Sequence, residues 1–230
     1  MRLDQFIASS SPLSRKEARR AIHAGSVGVN GEIWKSTGTH VPTGAQIILE
    51  GRQLTLPGER YLMLNKPAGV VSATRDNEHT TALDLLPPEM TRNLHIAGRL
   101  DADTTGLMLL TTDGQWSHRV TSPKLELLKT YRVSLSTPIT DAAIEVLETG
   151  VMLHNDPKPT KPAHVKVLEQ QLIELRISEG RYHQVKRMLA AVGNHVEALH
   201  RQSIGKIVLD LTLEPGAYRE LTEQEIASAG

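Results

Sequence analysis

The chain contains no cysteine. That excludes disulfides, thiolate catalysis and cysteine-ligated zinc, and it fits a cytoplasmic protein. Aromatic residues are also scarce, with one Phe, two Trp and four Tyr in 230 residues. Any surface that stacks on a planar ligand therefore has few side chains to draw on. No apolar run approaches the roughly 18 residues of a membrane span. The opening residues, Met1 to Phe6, lack the apolar core of a secretion signal, so no membrane partner is expected. Nor is either charge in excess, since 26 Lys and Arg meet 26 Asp and Glu.

Charge balance would argue against a polyanionic partner only if the charges were evenly spread. They are not. Residues 1–57 hold seven Lys or Arg against four acids, and residues 175–206 hold six against two. Part of the compensating acid lies in the tail, at Glu214, Glu220, Glu223 and Glu225. Local patches, not the total, decide nucleic-acid binding.

The densest chemistry lies in residues 95–114. A polar loop carrying Arg99, Asp101 and Asp103 enters the apolar segment Leu107 to Leu110, which Thr111 to Gly114 then stop. The segment reads as a short buried strand. A carboxylate at the mouth of a buried strand needs a cationic or hydrogen-bonding partner, or it neutralises. On chemistry alone the loop is either an acidic turn, with Arg99 paired to Asp101, or a catalytic loop. A metal-dependent transferase or hydrolase, with His95, Asp101 and Asp103 around a hard cation, is a weaker rival because no second carboxylate cluster stands out.

Helix geometry separates two cations near the C-terminus. Val185, Met188, Leu189 and Val192 follow the i, i+3, i+4, i+7 spacing of a buried stripe, and Gly193 ends the helix. Lys186 falls at the edge of that stripe, within reach of a half-buried carboxylate. Arg187 points nearly opposite, towards solvent, where it would suit phosphate. Upstream, Lys129 to Leu135 alternates as a strand, with Tyr131, Val133 and Leu135 on one face.

The first 50 residues form a separate pattern. A short helix over residues 2–9 precedes a basic helix from Arg15 to Ala24, with Ser14 and Glu17 as its capping box and Gly25 as its stop. A hairpin turning at Asn30-Gly31 follows, and a strand at 46–50 closes the module. Pro57-Gly58 marks the linker.

These motifs carry a resemblance. Gly98-Arg99-Leu100-Asp101, with Thr104 and Gly106-Leu107 following, resembles the catalytic-loop signature of the pseudouridine synthases. Asn65-Lys66-Pro67 with Gly69 resembles the first motif of that family, Lys129 and Tyr131 its Lys-x-Tyr motif, and Gly180 to Lys186 its third motif. The front end, with Arg2-Leu3-Asp4, the basic helix and the hairpin, resembles the S4 RNA-binding domain. The tail from Pro215 to Ile226 is similar to that of members acting on small-subunit ribosomal RNA.

The resemblance implies an isomerase that turns a uridine of 16S ribosomal RNA into pseudouridine without cofactor or metal. Asp101 would be its catalytic aspartate, Tyr131 the ring that stacks on the target base, and Lys186 the cation paired with Asp101. Arg99, Arg181 and Arg187 would contact RNA near the site, Lys66 would touch RNA phosphate or the loop at 98–106, and Arg15, Lys16, Arg19 and Arg20 would contact phosphates from the front module. The expected fold is α+β: an S4-like domain over residues 1–57, then a catalytic domain over 58–230 with a mixed, mainly antiparallel sheet flanked by helices. The catalytic loop and the 183–192 helix should face one cleft. The expected partner is small-subunit ribosomal RNA or its assembling ribonucleoprotein, bound by a monomer. A non-catalytic assembly factor and a synthase acting on large-subunit RNA are the alternatives.

Overall fold

The computed structural model describes residues 1–56 and 58–229. It divides into two compact units, Met1–Glu59 and Arg60–Gly230. Pro57, half of the expected linker signal, lies outside the described residues.

In the first unit, helix α1 (Leu3–Ser10) and helix α2 (Arg15–His23) pack on a four-stranded sheet. The capping box at α2 forms as its residues require: the Glu17 carboxylate accepts from the Ser14 backbone N–H at 2.7 Å, and the Ser14 hydroxyl accepts from Glu17 N–H at 3.3 Å. Strands β1 (Val27–Val29) and β2 (Glu32–Ile33) make the expected hairpin. Asn30 and Gly31 turn it at φ 51° and 87°, the positive pair that a tight two-residue turn demands. Strand β3 (Ile47–Leu49) does not close the module, however. A further hairpin turns at Glu50-Gly51 into β4 (Arg52–Leu54), giving the order β2-β1-β3-β4. Leu3, Ile7, Ala18, Ile22, Val27 and Ile47 fill the core between helices and sheet.

The second unit is built on a nine-stranded sheet. Its elements in chain order are β5 (Tyr61–Lys66), a 3-10 turn at Leu83–Leu85, α3 (Pro88–Thr91), β6 (His95–Ala97), β7 (Thr105–Thr111), α4 (Gly114–Thr121), β8 (Lys129–Leu135), α5 (Asp141–Thr149), β9 (His164–Glu169), β10 (Leu172–Ile177), α6 (Gln184–Ala191), β11 (Val196–Ile204), β12 (Ile207–Val208), β13 (Tyr218–Glu220) and α7 (Glu223–Ala227). The main path runs β13-β5-β7-β11-β8-β10-β9, with β6 beside β7 and β12 beside β11. Every pairing is antiparallel except that of β7 with β11. The fold is therefore α+β with a mixed, mainly antiparallel sheet.

The unbroken apolar run of β7 has a simple cause. Met108 and Leu110 join Leu62, Leu64, Val133 and Met188 on one face, while Leu107 and Leu109 join Met63, Trp116 and Val120 on the other. A strand covered on both faces has no polar side to alternate with.

Short elements depart from expectation. The segment from His95 is not all loop, because β6 pairs with β7 before the loop begins. Pro88 starts α3, since a proline at N1 gives up no helical hydrogen bond. The tail holds β13, which pairs with β5 across most of the unit's sequence.

Candidate active site

The loop at 98–104 leaves β6 and enters β7, and two buried cations fix its shape. Lys66, at the end of β5, is 0% exposed, and its Nζ donates to the carbonyls of Pro67 (2.9 Å), Ala102 (3.0 Å) and Thr104 (2.8 Å). Arg201, on β11, donates from Nε to Leu107 O at 2.9 Å and from its two terminal nitrogens to Arg99 O (3.3 Å) and Gly98 O (3.4 Å). Ser72 holds the middle, its hydroxyl accepting from Leu100 N–H at 2.9 Å. Of the two places expected for Lys66, RNA phosphate or the loop at 98–106, it takes the loop. Every proton of its ammonium is committed to a loop carbonyl, and no face of it reaches solvent. Burial pushes its pKa down to about 8, against the opposing pull of Asp103 and Asp101.

Held in this way, the loop presents Asp101 to α6. Asp101 Oδ1 lies 3.3 Å from His183 Nε2, and Oδ2 lies 3.4 Å from Lys186 Nζ. Lys186 is nearer to Asp103, at 2.6 and 2.8 Å from its two oxygens. The helix-face argument therefore brought Lys186 to the loop, but its tightest partner is the second aspartate. Burial would lower the Lys186 pKa, yet the Asp103 hydrogen bond and the charge of Asp101 outweigh it and hold the ammonium above its usual value. The same hydrogen bond keeps the Asp103 carboxyl below the usual carboxylate range. His183 precedes α6 in the left-handed region, at φ 47° and ψ 36°. The sequence reading had His183 within the Gly180–Lys186 motif and the expected 183–192 helix but gave it no role beside Asp101, since nothing in the sequence marks the left-handed turn that aims it there.

Asp101 is 29% exposed, at the mouth of a cavity of about 280 Å³. Lys129, Tyr131, His183 and Lys186 line it, together with Arg99. Tyr131 is buried and reaches this wall from β8, on the face shared with Val133 and Leu135. Lys129, two residues earlier and so on the same face, has its pKa lowered by burial and by the Arg201 charge. A carboxylate flanked by cations and backed by an aromatic wall suits chemistry on a planar base whose sugar carbon develops positive charge.

Comparison with known proteins decides the family. A family model described as RNA pseudouridylate synthase matches residues 60–191, and one described as S4 domain matches residues 1–47. The chain belongs to the RNA pseudouridylate synthase family. It is 51% identical to the ribosomal small subunit pseudouridine synthase A of Escherichia coli K12, over 99% of each chain. The protein of the same name from Vibrio parahaemolyticus is 50% identical, again over 99% of each. A crystal structure of a pseudouridylate synthase superposes with a TM-score of 0.74, at 46% identity and over 100% of each chain.

The synthase does not use all its arginines as the sequence promised. Arg187 does not point freely to solvent: it donates to Asp156 (2.9 Å) and to the carbonyls of His154 (2.6 Å) and Tyr182 (3.1 Å). Arg181 donates to Asp156 (3.1 Å), Glu179 (3.3 Å), Lys158 O (2.8 Å) and Pro159 O (2.7 Å). Both hold the irregular 154–159 segment, Arg187 from α6 and Arg181 from the turn before it, satisfying carbonyls that no strand pairs, so neither is a free phosphate contact. Arg99 lines the cavity, but among the described residues it makes no ion pair with Asp101, whose partners are His183 and Lys186.

In the first unit, Arg15 and Arg19 share a carboxylate with Arg2. Asp4, 0% exposed, stands 3.4, 2.8 and 3.2 Å from the three guanidinium groups. Burial alone would raise its pKa, but the three arginines together hold it at about 2. The arginines themselves stay about half exposed, so one buried negative charge orients three positive groups at the surface. Lys16 and Arg20 are exposed on the same helix.

Proposed function

We propose that this synthase isomerises a uridine of small-subunit ribosomal RNA. Residues 1–57 would hold the RNA, and residues 58–230 would carry the chemistry. The names of its half-identical relatives support the substrate class. The observation that carries the residue assignment is Asp101, set between His183 and Lys186 at the mouth of a cavity walled by Tyr131.

The reaction breaks the bond from ribose C1′ to uracil N1 and forms one from C1′ to C5. The C5 hydrogen leaves as a proton and N1 gains one, so no atom is gained or lost and no cofactor is called for. Uridine leaves its stack and enters the cavity, where Tyr131 offsets part of the unstacking cost, roughly 1–3 kcal/mol for a base on an aromatic ring. As the glycosidic bond lengthens, the ionised Asp101 stabilises positive charge on C1′, adds to the sugar or the base, or removes a sugar proton. Lys186 and His183 orient its two oxygens for any of these. The walls keep water from the detached base until it has turned. A cytoplasmic monomer acting on RNA or on an assembling ribonucleoprotein completes the reading.

The test is tritium release from RNA carrying the label at uridine C5, with small-subunit and large-subunit ribosomal transcripts compared. Release from the small-subunit transcript, unaffected by chelator and absent in Asp101→Asn, is expected. Release from the large-subunit transcript alone would overturn the substrate assignment, and full activity in Asp101→Asn would overturn the catalytic one.

A further inference from the structure

Two depressions meet at Asp101. One has Tyr131 in its wall, whereas the other is lined by Ser72, Ala102 and Tyr182. Arg99, Leu100, Asp101 and His183 border both. The reaction described above occupies only the one walled by Tyr131.

Tyr182 is 71% exposed, whereas Tyr131 is 9% exposed. An exposed tyrosine alone would mean little, but this one is held in place. Its ring lies flat on the imidazole of His183, with centroids 3.8 Å apart and planes 20° from parallel. His183 is fixed in turn by its left-handed backbone and by its contact with Asp101 at 3.3 Å. The Tyr182 carbonyl accepts from Arg187 at 3.1 Å, which anchors the same residue from the helix side. One ring face is thus covered by His183, and the other is open beside the second depression.

We propose that Tyr182 is a second stacking platform, taking the nucleobase adjacent to the uridine that is isomerised. The proposal rests on the reading of the reaction given above. A nucleotide drawn out of a strand leaves its neighbour with one bare face. The two rings, one buried and one exposed, flank the border formed by Asp101 and His183, so consecutive bases can each find an aromatic surface. Because every base has a π-face, the platform contributes affinity and register and selects no particular neighbour.

The test uses the full chain and an RNA oligonucleotide spanning the mapped uridine. Tyr182→Ala and Tyr182→Leu are expected to raise KM roughly tenfold, the scale of one lost base–aromatic stack, and to leave kcat within about threefold. Tyr182→Phe restores the KM, which separates stacking from any role of the hydroxyl. An abasic ribose at the stacking neighbour raises the KM of the unsubstituted enzyme by a similar factor and adds nothing further to Tyr182→Ala. An unchanged KM in Tyr182→Ala, a fall confined to kcat, or fully additive effects with the abasic RNA would each overturn the platform while leaving the reaction intact. Failure of the unsubstituted enzyme to isomerise uridine both in naked small-subunit RNA and in its assembling ribonucleoprotein would overturn the reaction itself, and the platform with it.

Discussion

Gly106 presses against the backbone of Arg201 where β7 runs parallel to β11. A Cβ on Gly106 would stand 2.3 Å from the Arg201 carbonyl oxygen and 2.9 Å from its nitrogen, and Gly106 holds φ at +100°. That approach lets the Arg201 side chain reach back to the carbonyls of residues 98, 99 and 107. Gly106→Ala should therefore separate the two strands and loosen the catalytic loop, costing about 3 kcal/mol or more from strain and overpacking together. Urea denaturation checks it against Gly114→Ala, where nothing lies within 4 Å of the added carbon. Equal midpoints for the two variants would refute the argument.

The sharing of Lys186 between two aspartates gives a kinetic prediction. Lys186→Met removes the cation from both and should lower kcat by about a hundredfold, the size of one preorganised electrostatic contact. Asp103→Asn weakens the shorter bond and leaves Lys186 free to close on Asp101, so its kcat should fall by less than about tenfold. If Asp103→Asn proved as damaging as Lys186→Met, Asp103 would be needed to aim the lysine, and the order of importance would be reversed.

Lys66 makes stability depend on pH in a definite direction. Its pKa falls from 10.5 in the unfolded chain to about 8 in the fold. Between those values the unfolded chain binds the extra proton, so stability from this group rises with pH through 8 to 10.5 and is lost as pH falls through 8. The gain is at most about 3 kcal/mol, at 1.36 kcal/mol for each pKa unit. Urea midpoints of the unsubstituted protein and Lys66→Met, measured across pH 7 to 10.5, should diverge upward in favour of the unsubstituted protein. A constant difference would show that the buried ammonium keeps its proton throughout.

What could be read beforehand follows from where the information lies. The helix stripe of Val185, Met188 and Leu189 is local, so Lys186 could be brought to the loop by periodicity alone. The partners of Arg187 could not, because Asp156 sits 31 residues away in a segment without regular pattern. Lys66 was left between phosphate and the loop for a related reason: a lysine is normally solvated, and nothing in Asn65-Lys66-Pro67 announces three carbonyls converging on it. Strands β6 and β13 span three residues each, too short for alternation to register, and only their pairing with β7 and β5 defines them. The loop at 98–107 and the Lys-x-Tyr motif stood out by resemblance to a family, since chemistry alone left the loop between an acidic turn and a catalytic one.

The division of the arginines into structural and RNA-facing sets yields a test that separates affinity from stability. Lys16 and Arg20 are exposed on α2, and each phosphate contact proposed for them would release counterion. Lys16→Ala and Arg20→Ala should each weaken RNA binding and reduce the slope of log affinity against log salt by about 1, with the unfolding midpoint unchanged. Arg187→Ala should behave in the opposite way. It strips Asp156 and the carbonyls of His154 and Tyr182 of their donor, so the unfolding midpoint drops while the salt slope stays within error of the unsubstituted enzyme. Fluorescence anisotropy at several salt concentrations, paired with thermal melts, reads both quantities. A reduced salt slope in Arg187→Ala with an unaltered melt would return that arginine to the RNA-binding surface.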